Sequence, residues 1–292
     1  MEAATKIIFS MFSPFRDGAF ILVLFISCNK EEPIPSYIHI DKIDLTTNYS
    51  IEGSNSQKIL DAWVTVDDQS VGAFEMPCTF PILTNGNHTL KVFPGIKENG
   101  IAETRIQYPF YAAYQKDITF TRGQVIKINP TVTYSKNITF KWIEDFEGAG
   151  HSILTGNGST PDTIMTITHS LTEKFEGAGS GKVSITSDSY LGLSGKFVLP
   201  QGGLNVFLEL NYYCNTDFTV GIVGYNSGGG IEVQDYFLTL RPTSGWNKVY
   251  VNLASHITAA TTSSKFAVAF SMQNNPNLSS SYFYLDNVKL IN

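Results

Sequence analysis

The chain has 292 residues, of which 13% are aromatic and only 16% charged, and its formal net charge is −6. So many aromatic side chains against so few charges exclude a largely disordered chain, and the length is ample for about two domains. An acidic balance with no run of Lys or Arg offers no grip on a phosphate backbone, so nucleic acid is excluded as a partner.

The first feature in chain order is the apolar run Ala19–Ile26. It is far short of the ~20 residues that cross a bilayer as a helix and reads as the apolar stretch of a signal peptide, with Lys6 and Arg16 upstream and Met11 as an alternative start. It closes in Leu24-Phe25-Ile26-Ser27-Cys28, followed by Asn29-Lys30-Glu31-Glu32-Pro33. This junction resembles a lipoprotein signal, and Lys30, Glu31 and Glu32 resemble the export signal of Bacteroidota-type surface lipoproteins. The resemblance implies cleavage before Cys28, acylation of Cys28, and anchoring in outer-membrane lipid on the extracellular side. Residues 1–27 are then a signal peptide and 28–36 a lipidated tether. A plain secretory signal with an incidental cysteine is the alternative.

From Tyr37 onward apolar and polar residues alternate or β-branched residues run together: Tyr37–Leu45, Ala62–Val66, Thr89–Phe93 and Val125–Asn129 read as strands bounded by Gly, Asn, Asp and Pro. No amphipathic helix of useful length appears, so the fold class is all-β. Asp67-Asp68 and Asn85-Gly86 read as turns between strands. The stretches Asp61–Gly72, Met76-Pro77, Phe80–Leu83 and Asn85–Gly95 resemble a PEGA-type module, with Asp68 in place of the turn glycine. That implies a small Ig-like sandwich over 37–135, a building block of surface proteins. Ile96 to Gln115 departs from strand periodicity and carries Tyr108, Phe110, Tyr111 and Tyr114; it reads as a long aromatic loop, either a binding feature or a cover for a sheet end or a neighbouring domain.

Ser135-Lys136-Asn137 is the expected boundary, and 138–292 the second domain. Its strands include Ile138–Gly148, Gly181–Thr186, Val206–Tyr212, Phe218–Val223, Gly245–Leu253, Phe266–Met272 and Tyr282–Ile291. Their order and the motifs Asp145-Phe-Glu-Gly148, Gly245-Trp246 and Tyr282–Leu290 resemble carbohydrate-binding modules with a galactose-binding-like jelly roll. The expected architecture is therefore two β-sandwiches, Ig-like or PEGA-like and then jelly-roll.

The chemistry-bearing motifs are few. Gly177–Ser184 lacks the first glycine and the hydroxyl of a phosphate loop. The histidines His39, His88, His151, His169 and His256 never fall at zinc-ligand spacing, there is no C-x-x-C, and Cys78 and Cys214 fall in different domains. No nucleophile elbow is present, and no catalytic residue or catalytic cofactor is assigned. In the resembled jelly rolls a structural calcium joins the first and last strands, which implies Glu147 and Asp286 as its ligands, with Asp145 a further carboxylate; strand-end charges are the alternative. For a sugar, stacking needs an exposed ring with amides and carboxylates beside it. Tyr212, Tyr213, Tyr225, Tyr236 and Trp246 are candidate rings, with Trp246 expected in the core and Tyr212 and Tyr213 on opposite strand faces. Tyr225 to Tyr236 reads as a glycine-rich loop, and Tyr225, Tyr236, Asn226, Gln234 and Asp235 are taken as the glycan-binding set. The expected function is glycan capture without catalysis at the cell surface. A structural or adhesive protein with a protein partner, and a glycosidase with its carboxylates hidden in sequence, stand as alternatives.

Overall fold

The computed structural model describes residues 34–157, 159 and 163–292. Cys28, Lys30, Glu31 and Glu32 lie outside the described residues. The first half pairs Gln69–Glu75, Asp61–Val66, Gly86–Lys97 and Arg105–Gln107 in that order, with Tyr114–Phe120 also on Gly86–Lys97. Its companion layer is Cys78–Ile82, Ser36–Ile40 and Val125–Ile128, beside the short pair Asp44–Leu45 and Thr131–Val132. Period-two alternation explains the packing: Ile38, Ile40, Val64, Val66, Leu90, Val92 and Phe80 all turn into one buried cluster. Asp67 and Asp68 take left-handed φ of 49° and 63°, as a two-residue turn of type I′ requires. Asp67 supports that geometry itself, accepting the Thr89 N–H at 2.9 Å.

The second half is all-β and built of two sheets. One runs Thr166–Thr168, Ser180–Ile185, Ser281–Ile291, Phe207–Cys214, Asn247–Asn252, with Phe140–Glu144 also pairing Ser281–Ile291. The other runs Leu154–Thr155, Ser189–Leu193, Lys265–Gln273, Phe218–Tyr225, Ile231–Leu240. Leu208, Leu210, Phe283 and Leu285 from the first meet Val220, Ile222, Val268 and Phe270 from the second in a single core. Helix among the described residues is confined to Tyr49–Glu52 and Ala254–Ala259, and no described helix is long and apolar enough to cross a membrane.

Two readings of the chain are corrected here. Tyr37–Leu45 is not one strand, because pairing stops at Ile40 and resumes at Asp44 with a different partner. The stretch 96–115 is less of a loop than expected. Gly86–Lys97 is a twelve-residue strand, Arg105–Gln107 pairs back on it, and Tyr108, Phe110 and Tyr111 are buried. Their rings pack against the second half: Tyr108 lies 5.3 Å from Phe207 and 4.9 Å from Tyr250, centroid to centroid, and the Tyr111 and Tyr250 hydroxyls are 3.2 Å apart. Phe207, Tyr250 and Ile291 accordingly belong to the hydrophobic cluster of the first half.

That junction encloses charge. Glu209 is fully buried, accepts the Tyr108 hydroxyl at 2.8 Å and the Tyr134 hydroxyl at 2.9 Å, and lies 3.0 Å from Lys248 Nζ, an approach off the axis of a hydrogen bond. Lys289 Nζ donates to the Ser54 carbonyl at 2.5 Å and to the Tyr134 hydroxyl at 3.3 Å. Burial alone pushes the Glu209 carboxyl up, but Lys248 and Lys289 outweigh it and hold the group below its usual range. Burial lowers Lys289 to about 8.

Candidate functional site

Strand register decides which candidate residues share a surface. In Phe218–Tyr225 the core takes Phe218, Val220 and Ile222, so Gly221, Val223 and Tyr225 face outward. Gly221 pairs Tyr236 on one side and Ala269 on the other; Val223 pairs Gln234 and Ala267. The outer face of the five-stranded sheet therefore has a low floor of Gly221, Ala267 and Ala269, with Leu191 and Leu193 packed at one margin and Tyr236 and Gln234 at the other. The floor depends on Gly221, where a Cβ would stand 2.3 Å from the Asp235 carbonyl oxygen across the irregular register.

Of the five expected glycan residues, this face collects Tyr225, Tyr236 and Gln234. Tyr236 is 38% exposed and Gln234 is exposed. Burial raises the Tyr236 phenol, and the proximity of Tyr225 raises it further. Tyr225 is not the open platform expected: it is buried, and the Lys196 ammonium sits 3.7 Å over its ring. The other two point elsewhere. Asn226 shapes the turn, accepting the Gly230 N–H at 2.9 Å and donating to Glu232 at 2.5 Å, while Asp235 lies 2.7 Å from His256 Nδ1. The expected glycine-rich loop shrinks to a tight turn, because Ile231–Leu240 is already strand.

A second surface lies on the outer face of the six-stranded sheet. Tyr212 and Tyr213 lie on opposite faces, as alternation predicts, and the core takes Tyr212. Across the pairing strand Tyr213 meets Tyr284, rings 5.8 Å apart and 15° from parallel, and Tyr282 lies 6.0 Å from Tyr213. Trp246 joins at 6.4 Å from Tyr213, and Phe175 at 5.4 Å from Trp246. Trp246 is thus half-buried in an outward-facing cluster, a correction to its expected place in the core. Polar groups border the rings. Lys182 pairs with Glu173 at 2.6 Å, and Glu173 also accepts the Tyr284 hydroxyl at 3.0 Å and the Thr168 hydroxyl at 2.6 Å. The bond from Lys182, ahead of that from Thr168, holds Glu173 below its usual range. Tyr282, Tyr284 and Phe175 were missed as candidates. The signal for two of them was present, since a core Phe283 between two tyrosines places both on the opposite face.

The carboxylates assigned to calcium are engaged differently. Asp286 is buried, accepting the Ser180 hydroxyl at 2.6 Å and the Asn287 N–H at 2.7 Å, and burial pushes it up to about 7. Glu147 accepts the Ala178 N–H at 2.6 Å, and Asp145 accepts the Tyr49 hydroxyl at 2.9 Å. No group of three or more His, Cys, Asp or Glu among the described residues is placed to hold a metal ion. A calcium shell needs six to eight ionised or carbonyl oxygens. For Asp286 to join such a shell, an ion would have to take over the oxygens that now accept from Ser180 and Asn287.

No family model and no curated protein matches the chain. Among solved structures it is similar to a xylan-binding family 22 carbohydrate-binding domain from Paenibacillus barcinonensis, at 11% identity and a TM-score of 0.40, covering 53% of this chain and 96% of that one. A family 22 carbohydrate-binding module from Clostridium thermocellum gives 12% and 0.38, covering 52% and 91%. A family 11 module from the same organism, solved with a β-1,3-1,4-mixed-linked tetrasaccharide, gives 18% and 0.35, covering 51% and 94%.

Proposed function

We propose that this chain is a non-catalytic glycan-binding lipoprotein of the cell surface. The observation that supports glycan binding is the cluster of Tyr213, Tyr282, Tyr284, Trp246 and Phe175, bordered by Lys182 and Glu173. A sugar ring presents a face of C–H bonds and a rim of hydroxyls. The half-buried rings of Phe175, Tyr213, Trp246 and Tyr282, backed by the buried Tyr284, supply the apolar contact, and the flanking ammonium and carboxylate supply a donor and an acceptor. A purely apolar patch would instead suit a protein partner. Tyr236 with Gln234, exposed above the buried Gly221 and Ala269, offers a second and smaller surface of the same chemistry.

The test is a glycan array read with the parent protein and two variants. Tyr282→Ala is expected to weaken its ligands by about 0.5–1.5 kcal/mol through loss of one stacked ring. Tyr236→Ala reports the second surface in the same way. Tyr225→Ala is expected to lower the melting temperature, since its ring is buried, and so cannot serve as a binding probe. A parent that binds no glycan gives the place to an adhesive or structural role, and one that cleaves its ligand to a glycosidase.

The anchor is tested separately. Cys28→Ala is expected to abolish fatty-acid labelling and release the protein from membranes. Replacing Lys30, Glu31 and Glu32 together by Ala is expected to preserve labelling and remove the protein from the reach of protease on whole cells. Labelling that survives Cys28→Ala excludes the lipoprotein reading.

A further inference from the structure

We infer that the cleft between the two sandwiches binds the anionic group of an acidic sugar, with Lys58, Lys97 and Arg241 as its cationic contacts. The cleft has a volume of about 400 Å³ and is lined from both halves of the chain. Its lining contains four cations, the fourth being Lys248, and no carboxylate, in a protein of net charge −6. A random sampling of an acidic surface would carry the opposite sign.

Lys248 is already engaged with Glu209. Among the described residues the other three have no carboxylate within ion-pair distance. Lys58 donates to Asn247 Oδ1 at 2.5 Å, and Asn247 in turn donates to the Tyr212 hydroxyl at 3.0 Å, so the ammonium is positioned with two N–H groups to spare. Burial, and then the like charge of Lys97, lowers the Lys58 ammonium from its ordinary range. Two half-buried cations held near each other repel, and an anion between them converts that repulsion into attraction.

The rest of the lining argues for a sugar over a bare inorganic ion. Leu60, Ile101 and Leu238 provide apolar wall, while Asn99 and Thr239 provide amide and hydroxyl. That combination matches a pyranose bearing one charged substituent. The sugar part of the inference rests on the glycan-binding proposal, and the anion part stands on the cleft alone.

Calorimetry on the full chain separates the two. Three probes are used: tetragalacturonate, which carries carboxylates; a κ-carrageenan tetrasaccharide, which carries sulfates without carboxylates; and neutral cellotetraose. The variant combines Lys58→Met, Lys97→Met and Arg241→Met, all outside the two cores, with its fold checked by melting temperature. At least one anionic probe is expected to bind the parent, more weakly as salt rises, and to lose at least tenfold in the variant. Whichever of the two binds assigns the anion as carboxylate or sulfate. Equal binding of the anionic probe by parent and variant overturns the inference, as does failure of both anionic probes to bind the parent. Cellotetraose binding, or ligands found on the array, judge the glycan proposal independently of either outcome.

Discussion

Glu209→Ala is expected to destabilise the protein by about 3–5 kcal/mol, the cost of leaving buried charges without their counter-charge. Glu209 is 0% exposed, and two ammonium groups stand near it, Lys248 with 2% of its side chain exposed and Lys289 fully buried. Truncation removes the carboxylate paired with Lys248 and the strongest of those acting on Lys289, and leaves the Tyr108 and Tyr134 hydroxyls without their acceptor, Tyr134 still accepting from Lys289. A hydroxyl left without its acceptor costs roughly 1–3 kcal/mol, so the two tyrosines and the lysines both contribute to the loss. The urea midpoint is the measurement, and a shift equivalent to less than 1 kcal/mol would refute the account. A triple variant, Glu209→Leu with Lys248→Met and Lys289→Met, is expected to recover much of the loss, because apolar groups of similar volume need no partners. The shared cluster of Phe207, Tyr250 and Ile291 adds a second expectation. Unfolding should be one transition, since neither half keeps its full core alone; two well-separated transitions would show that the halves are independent.

This junction marks the limit of what the sequence reveals. Strands such as Ala62–Val66 and Phe218–Val223 are legible because each buries one face, which imposes alternation on local residues. The Asp67-Asp68 turn is legible for a similar reason, since the backbone there needs residues that tolerate positive φ. Glu209 is not. It sits in Val-Phe-Leu-Glu-Leu-Asn, where alternation marks it as an outward and apparently solvated charge. Only the arrival of Tyr108 and Tyr134, respectively 101 and 75 residues away in sequence, makes that outward face an interior one. The same missing knowledge explains Trp246 and Tyr225. Whether an outward ring is open or covered depends on neighbours from distant strands, Tyr213 and Tyr284 for the first and Lys196 for the second. The cationic cleft is harder still, because Lys58, Lys97 and Arg241 come from three separate segments and no local pattern joins them.

Asp286→Asn is expected to stabilise the protein at pH 8 by on the order of 3–4 kcal/mol and to change little at pH 4. Burial places the folded carboxyl at about 7, three units above its ordinary value of 3.8. Between those two values the folded state keeps the proton and the unfolded state has lost it. The folded state therefore binds more protons, and stability must fall as pH rises from about 4 to about 7. Above 7 the deficit is complete, because ionisation then occurs inside the fold, where only Ser180, Asn287 and Glu176 donors compensate. Asparagine has nearly the same shape and never ionises, so it removes the deficit while retaining an acceptor for the backbone donors. Parallel pH–stability curves for parent and variant would overturn this reading, as would a variant less stable than the parent at pH 8. The same experiment decides the calcium expectation attached to Glu147 and Asp286. An ion binding the carboxylate would recover stability at pH 8 on addition of calcium to the parent and not to the variant, whereas a proton-holding Asp286 leaves both curves indifferent to calcium and to chelator.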